Sequence, residues 1–276
     1  MKRHWTAIAL ALSLVFVSAC GKAADPAAAG HDGHGQHAGD GKEAAVPDST
    51  KAVWKLSAAK PQAGANTTVS VQIQDAQGKP VEKFDLNHEK MMHLIIVSQD
   101  LSVFDHIHPV YKGGGLFEID TRFPSGGEYK LFADYVPTGG AAVTKSERIA
   151  VDGPKAAPVP IAADAKLTKT LEGKEVTLSY DHLMANMEIK LNFHLVDAKT
   201  KKPITDLQPY LGAVGHVVIL SADGERYLHV HPTDEKAKGP DASFMTTFPA
   251  AGTYKIWGQF QQNGQTFIVP FVVNVP

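Results

Sequence analysis

The chain has 276 residues, with 27 Lys and Arg against 29 Asp and Glu, 13 His and one Cys. A mildly acidic, well-mixed charge gives no reason to expect a nucleic-acid partner. With Cys20 as the single cysteine, disulfides, thiolate nucleophiles, cysteine zinc sites, iron–sulfur clusters and a His/Cys blue-copper centre are excluded together.

Met1-Lys2-Arg3-His4 is a basic start, Trp5 to Val17 an apolar run, and Val17-Ser18-Ala19-Cys20 a small-residue stretch before a cut. This is the secretory pattern, in a run too short to span a bilayer, which needs about 20 apolar residues. Val-Ser-Ala-Cys resembles the lipobox of bacterial lipoproteins. That resemblance implies a signal peptide over 1–19, diacylglycerol on the Cys20 sulfur and a chain anchored by lipid to the cell membrane or outer membrane, working outside the cytoplasm. Residues 20–50 are rich in Ala, Gly, Asp and Pro without hydrophobic periodicity, the composition of a disordered tether. Within it His31, His34 and His37 recur every three residues, a compositional metal-binding signal or a polar spacer that happens to contain histidine.

Beyond the tether the chain repeats. Met92-His93-Leu94-Ile95-Ile96-Val97-Ser98 and Phe104-Asp105-His106-Ile107-His108-Pro109 return as Gly215-His216-Val217-Val218-Ile219-Leu220-Ser221 and Tyr227-Leu228-His229-Val230-His231-Pro232, each histidine and proline displaced by 123 positions. Phe123-Pro124 through Tyr129-Lys130 returns as Phe248-Pro249 through Tyr254-Lys255 with two residues inserted. Two related domains are therefore expected, over 51–152 and 164–276, joined by a Pro- and Ala-rich linker at 153–163. Thr68 to Ile73 and Glu188 to Phe193 alternate with period two, and Gly-containing turns separate many short apolar runs. The fold class is all-β: two tandem immunoglobulin-like or cupredoxin-like β-sandwiches after a disordered tether.

Each domain carries His, twelve residues, His, one residue, His. Treating His93 to Ser98 and Ser102 to His108 as a hairpin with a two- or four-residue loop puts His93 directly across from His106, with His108 on the same face two residues on. In the second copy a turn centred on Ala222-Asp223 puts His216 opposite His229, and one centred on Asp223-Gly224 puts it opposite His231; all three share a face either way. Ile95, Val97 and Phe104, and Val218, Leu220 and Tyr227, continue those faces, so the histidines are expected at the solvent-facing rim of each sandwich. Three converging imidazoles can hold a metal, giving one expected site per domain: His93, His106 and His108, then His216, His229 and His231. The other reading is that they are packed, with their ring nitrogens satisfied by backbone carbonyls.

Imidazole suits copper, zinc and nickel, and nearby thioethers tilt the choice to copper, with zinc as the alternative. Met91 and Met92 precede His93, and His182, Met184 and Met187 open the second domain; these are the weaker candidates, since methionine also fills cores. The paired His…His-x-His-Pro hairpin with the later Phe-Pro-x-x-Gly-x-Tyr-Lys segment resembles the YtkA-like exported domains of bacteria and the wider group of copper-associated lipoproteins, over both domains. That resemblance implies a small, non-enzymatic β-sandwich in a metal-handling or oxidase-assembly context. The methionine signature of periplasmic copper chaperones is not matched in spacing. The expected function is a metal-binding lipoprotein, for copper first, acting as buffer or carrier with a protein partner in metal handling; the alternative is a structural or protein-interaction module. A metalloenzyme ranks last, because Asp105 is the one candidate base in the motifs and the second copy has Leu228 there.

Overall fold

A computed structural model describes residues 49–276. Cys20, the expected signal segment and His31, His34 and His37 lie outside the described residues. Among those described, no helix is long and apolar enough to cross a membrane.

The first repeat forms β1 (Lys51–Leu56), β2 (Asn66–Gln74), β3 (Phe84–Asp85), β4 (Met92–Ser98), β5 (Phe104–Ile107), β6 (Val110–Gly113), β7 (Leu116–Arg122), β8 (Gly127–Pro137) and β9 (Val143–Val151). The second forms β10 (Thr168–Leu171), β11 (Lys174–Tyr180), β12 (Glu188–Asp197), β13 (Gly215–Ser221), β14 (Tyr227–Val230), β15 (Asp241–Thr247), β16 (Gly252–Gln262) and β17 (Gln265–Val275). In the first, a sheet ordered β1-β2-β7-β6 faces one ordered β5-β4-β8, with β9 and the short β3 both pairing β8. In the second, β10-β11-β12-β15 faces β14-β13-β16-β17. All these strand pairs are antiparallel. Two such sheets with chain crossings between them make an immunoglobulin-like sandwich, formed here twice.

Strand periodicity explains most of the packing. β2 and β12 bury every second residue, because one face meets the opposite sheet and the other meets water. Val69, Val71, Phe117 and Leu131 build one core; Leu191, Phe193, Ile256 and Phe271 build the other. β4 and β13 behave differently: all seven residues of each are buried. Their inward faces, Met92, Leu94 and Ile96 or Val217 and Ile219, enter the cores. Their outward faces, Ile95 and Val97 or Val218 and Leu220, join a third apolar cluster with Leu101, Phe132 and Trp257. The two sandwiches thus pack sheet on sheet through the outer faces of β5-β4-β8 and β14-β13-β16.

This interface has approximate two-fold symmetry, the repeat unit meeting its own copy through the same surface. Phe104 stacks on Trp257 with centroids 4.7 Å apart, and its repeat equivalent Tyr227 stacks on Phe132 at 4.5 Å. Lys130 Nζ donates to Gly224 O at 2.8 Å, and Lys255 Nζ donates to Leu101 O at 2.7 Å. The segment 153–163, expected as a linker, is fastened to the domains: Gly126 N donates to Pro154 O, Val159 N to Asp100 Oδ2, and Ile161 joins the interface cluster.

The copies diverge where bulk is traded. Met92 corresponds to Gly215, whose missing side chain leaves room for Phe260: a Cβ there would stand 2.5 Å from the Phe260 ring and 2.7 Å from Gln259 O. Gly215→Ala is therefore expected to destabilise the second sandwich by about 1–3 kcal/mol through overpacking. Chemical denaturation checks this; an unchanged midpoint would show that the Phe260 ring gives way freely.

Candidate metal centre

The two histidine hairpins are held in identical registers. In the first, Ile95 pairs with His106 and Leu94 with Ile107, which brings His93 level with His108, not with His106 as expected. The reason is local. Ser98 N donates to Val103 O and closes a four-residue loop from Gln99 to Ser102, and Asp100 Oδ1 anchors it by accepting from Ser98 Oγ, Ser102 Oγ and Ser102 N. In the second, Val218 pairs with His229 and Val217 with Val230, so His216 comes level with His231, the arrangement centred on Asp223-Gly224. Asp223 anchors that loop through Ser221 Oγ and Glu225 N. Since both registers preserve parity, the three histidines of each hairpin share one face.

That face is the inter-sandwich interface, which corrects the expected rim position. His93 is 0% exposed, His216 1% and His106 4%. Ring centroids of His93 lie 5.2 Å from His229 and 6.1 Å from His216, and those of His106 lie 5.2 Å from His229. The expected pair of separate sites is thus one pooled cluster. Two sets in it have ligand nitrogens within 4.8 Å of one another: His93, His106 and His229, drawn from both sandwiches, and His216, His229 and His231. His108 belongs to neither set; its Nε2 lies 3.3 Å from His106 Nε2.

Surrounding acceptors assign the protons. Asn87 O is 2.8 Å from His93 Nε2 and Tyr210 O is 3.1 Å from His216 Nε2. A carbonyl only accepts, so each Nε2 carries hydrogen and each Nδ1 is a bare lone pair. Asp134 Oδ2 accepts from His229 Nδ1 at 3.0 Å, so in the neutral imidazole the bare nitrogen is His229 Nε2. Gln259 donates through Nε2 to Tyr210 Oη and accepts through Oε1 from His106 Nδ1 at 2.8 Å, leaving His106 Nε2 bare as well. His216 Nδ1, His229 Nε2 and His231 Nε2 are buried without a hydrogen-bond partner. His93 Nδ1 and His106 Nε2 face each other at 2.9 Å with no proton assigned between them. Converging imidazole nitrogens, backed by carbonyl and carboxylate acceptors on their far sides, could serve as the donor set and outer shell that a transition-metal ion requires.

Burial, followed by neighbouring His229, lowers His93 to a pKa of about 4 and His216 to about 2. The same two causes bring His231 to about 3, and burial followed by His93 brings His108 to about 3. His106 lies well below the ordinary histidine value, through burial and then His229. Burial alone would raise Asp134, but hydrogen bonds from His229, Tyr227 and Thr144, with the charge of His229, hold it below the ordinary carboxylate value. At neutral pH these five lowered histidines are uncharged, the state that ligates metal.

Other candidates stand elsewhere. Met92 is buried in the first sandwich's core, while Met91, Met184 and Met187 are exposed. His182 pairs with Asp181 beside β11. Several residues around the cluster escaped the sequence reading. Asp134 and Gln259 occupy equivalent places on β8 and β16, beside His93 and His216, and each reaches across to the other sandwich's hairpin. Asn87 and Tyr210 are also repeat equivalents. His88, at φ 46° in the tight turn before β4, lies 3.8 Å from the His231 ring. A buried strand carrying Asp134 two residues after Phe132 was the available signal. Met245, without an evident role in sequence, lines a cavity that reaches Asp134, Tyr227, His229 and His231.

Fold and site together define a tandem β-sandwich protein with a buried polyhistidine cluster at its domain interface. The chain belongs to the family described as a domain of unknown function, DUF8832, which matches residues 45–153 and again 169–276. No curated protein matches it. Among solved structures it is similar to the Escherichia coli adhesin FdeC, at 20% identity and TM-score 0.28 over 83% of this chain and 64% of that one. It is also similar to the Yersinia pseudotuberculosis adhesin InvE, at 11% identity and TM-score 0.25 over 81% of this chain and 59% of that one. A two-domain fibronectin type III segment of chicken tenascin gives 12% identity and TM-score 0.23 over 81% and 98%. The chain spans less than two thirds of either adhesin structure, and likenesses at these scores carry no functional argument.

Proposed function

We propose that this is a non-enzymatic, extracytoplasmic metal-binding lipoprotein, tethered through Cys20, that buffers or carries a transition metal between its two sandwiches. The observation that carries this reading is that His216, His229 and His231 each offer a ligand nitrogen within 4.8 Å of the others and each bury a nitrogen without a partner. Buried polar atoms are otherwise nearly always satisfied, and a ligand explains why these are not. Imidazole ligands without thiolate suit Cu(II) and Zn(II), and affinity among divalent ions rises towards copper. The cavity lined by Met245 supplies an entry path with a thioether in it. The secretory and lipobox patterns at 1–20 support the location, and the His31, His34, His37 segment is suited to capture ions nearby.

Asp134 is expected to act as the outer-shell carboxylate that fixes the His229 tautomer. Asp134→Asn should weaken Zn(II) or Cu(II) binding about 10- to 100-fold in a competition titration. Unchanged affinity would remove Asp134, and the His229 tautomer it sets, from the site.

A second reading rests on a specific feature. If the Gln259 amide is turned, protons can run one way from Tyr210 Oη through Gln259, His106 and His93 to Asn87 O, satisfying that side of the cluster without metal. The protein is then an interaction module held together by the network. Absence of tight metal binding by the purified chain would favour it.

A further inference from the structure

We infer that the chain holds one metal ion, not one per domain, because His229 is the shared ligand of two alternative three-histidine sets. The inference rests on the metal-binding reading. His229 stands at the centre of the cluster, its ring centroid 5.2 Å from His93 and His106, 5.7 Å from His216 and 4.9 Å from His231. It is the member common to both sets. Its Nδ1 is committed to Asp134 at 3.0 Å, so one ring nitrogen remains. That nitrogen has one in-plane lone pair and holds one ion at a time.

Charge points the same way. Asp134 is the carboxylate bonded to the cluster, through His229 Nδ1, and its repeat equivalent is the neutral Gln259. Two divalent ions within the span of these rings would repel strongly, with Asp134 the one carboxylate hydrogen-bonded to the six histidines among the described residues. The repeat has therefore kept two ligand sets but carboxylate support for one ion. The sets are also unequal. His216 Nδ1, His229 Nε2 and His231 Nε2 have no hydrogen-bond partner, whereas His93 and His106 lie in contact with each other. The ion rests with the first set, and the second, which takes ligands from both sandwiches, receives it when the first is broken. A carrier built this way can pass its ion across the interface with His229 as the pivot.

The test is native mass spectrometry with Zn(II) and Cu(II) on the full chain carrying His31→Ala, His34→Ala and His37→Ala, so that the tether adds no ions. One tightly bound ion per chain is expected. His216→Ala and His106→Ala should each still bind one ion, the former more weakly, and His229→Ala should lose at least 100-fold in affinity for any ion. Two tight ions in the chain with only the tether altered, or a tight ion surviving in His229→Ala, would overturn the shared-ligand inference while leaving metal binding in place. No tight ion in that chain would overturn the metal-binding reading itself. Thermal melting shows whether His229→Ala still folds; if it does not, the stoichiometry before that substitution and the two other variants decide.

Discussion

Lowering the pH from 7 to 5 is expected to part the two sandwiches while each stays folded. His93, His106 and His216 are buried at the interface with pKa values below the ordinary histidine value, His93 at about 4 and His216 at about 2. Once the interface opens they return towards about 6.5. Between those limits the open form binds protons that the closed form cannot, so closure is favoured above about pH 6.5 and weakens as the pH falls. Asp134, lowered by its partners, shifts stability in the same direction at lower pH. Each group contributes roughly 1.4 kcal/mol per pH unit. Three buried histidines then amount to several kcal/mol between about pH 6.5 and 5, comparable with the stability of a whole domain. The histidines sit on the outer faces of the sheets, outside both cores, so protonation acts on the interface first. Small-angle scattering should show an increased radius at pH 5 with the far-ultraviolet circular dichroism of the β-sheets retained. An unchanged radius down to pH 4.5 would mean that the cluster is not what closes the interface.

Replacing Trp257 by Ala should have a comparably large effect on the same interface without metal or proton. Trp257 is 3% exposed, stacks on Phe104 across the interface and carries Lys255 Nζ 5.5 Å from its ring centre. It belongs to the cluster between the sandwiches and not to the core of its own. Truncating a buried Trp costs about 3–5 kcal/mol. Here the loss falls on docking, so the variant should keep two folded sandwiches and expose 153–163 to limited proteolysis. Phe244→Ala, in the core of the second sandwich, should instead unfold that sandwich and lower the cooperative melt. If Trp257→Ala behaved like Phe244→Ala, the interface and the core would be one cooperative unit.

Much of this architecture could be read from the chain. The two copies were visible because the histidines and prolines recur at a constant offset, and the sandwich because β2 and β12 alternate with period two. Common-face placement of the histidines survived even though the first hairpin's register was wrong by two residues, since parity is unaffected by an even shift. The loop anchored by Asp100 was the cause of that shift, and its side-chain hydrogen bonds leave no periodic trace. Met92 adjoins His93 in sequence but points into the core, the ordinary consequence of strand alternation.

The pooling of the six histidines was not legible. Side-chain period is a property of the local backbone and can be counted. Which sheet face is covered by the other domain depends on the fit of surfaces far apart in sequence, here the crossed Phe104–Trp257 and Phe132–Tyr227 stacks. The same docking brings Asp134 to His229 and Gln259 to His106, partners that lie on different sandwiches. Local sequence dictated two histidine-bearing hairpins; their meeting face to face, with a carboxylate on one side and an amide on the other, arises from long-range packing.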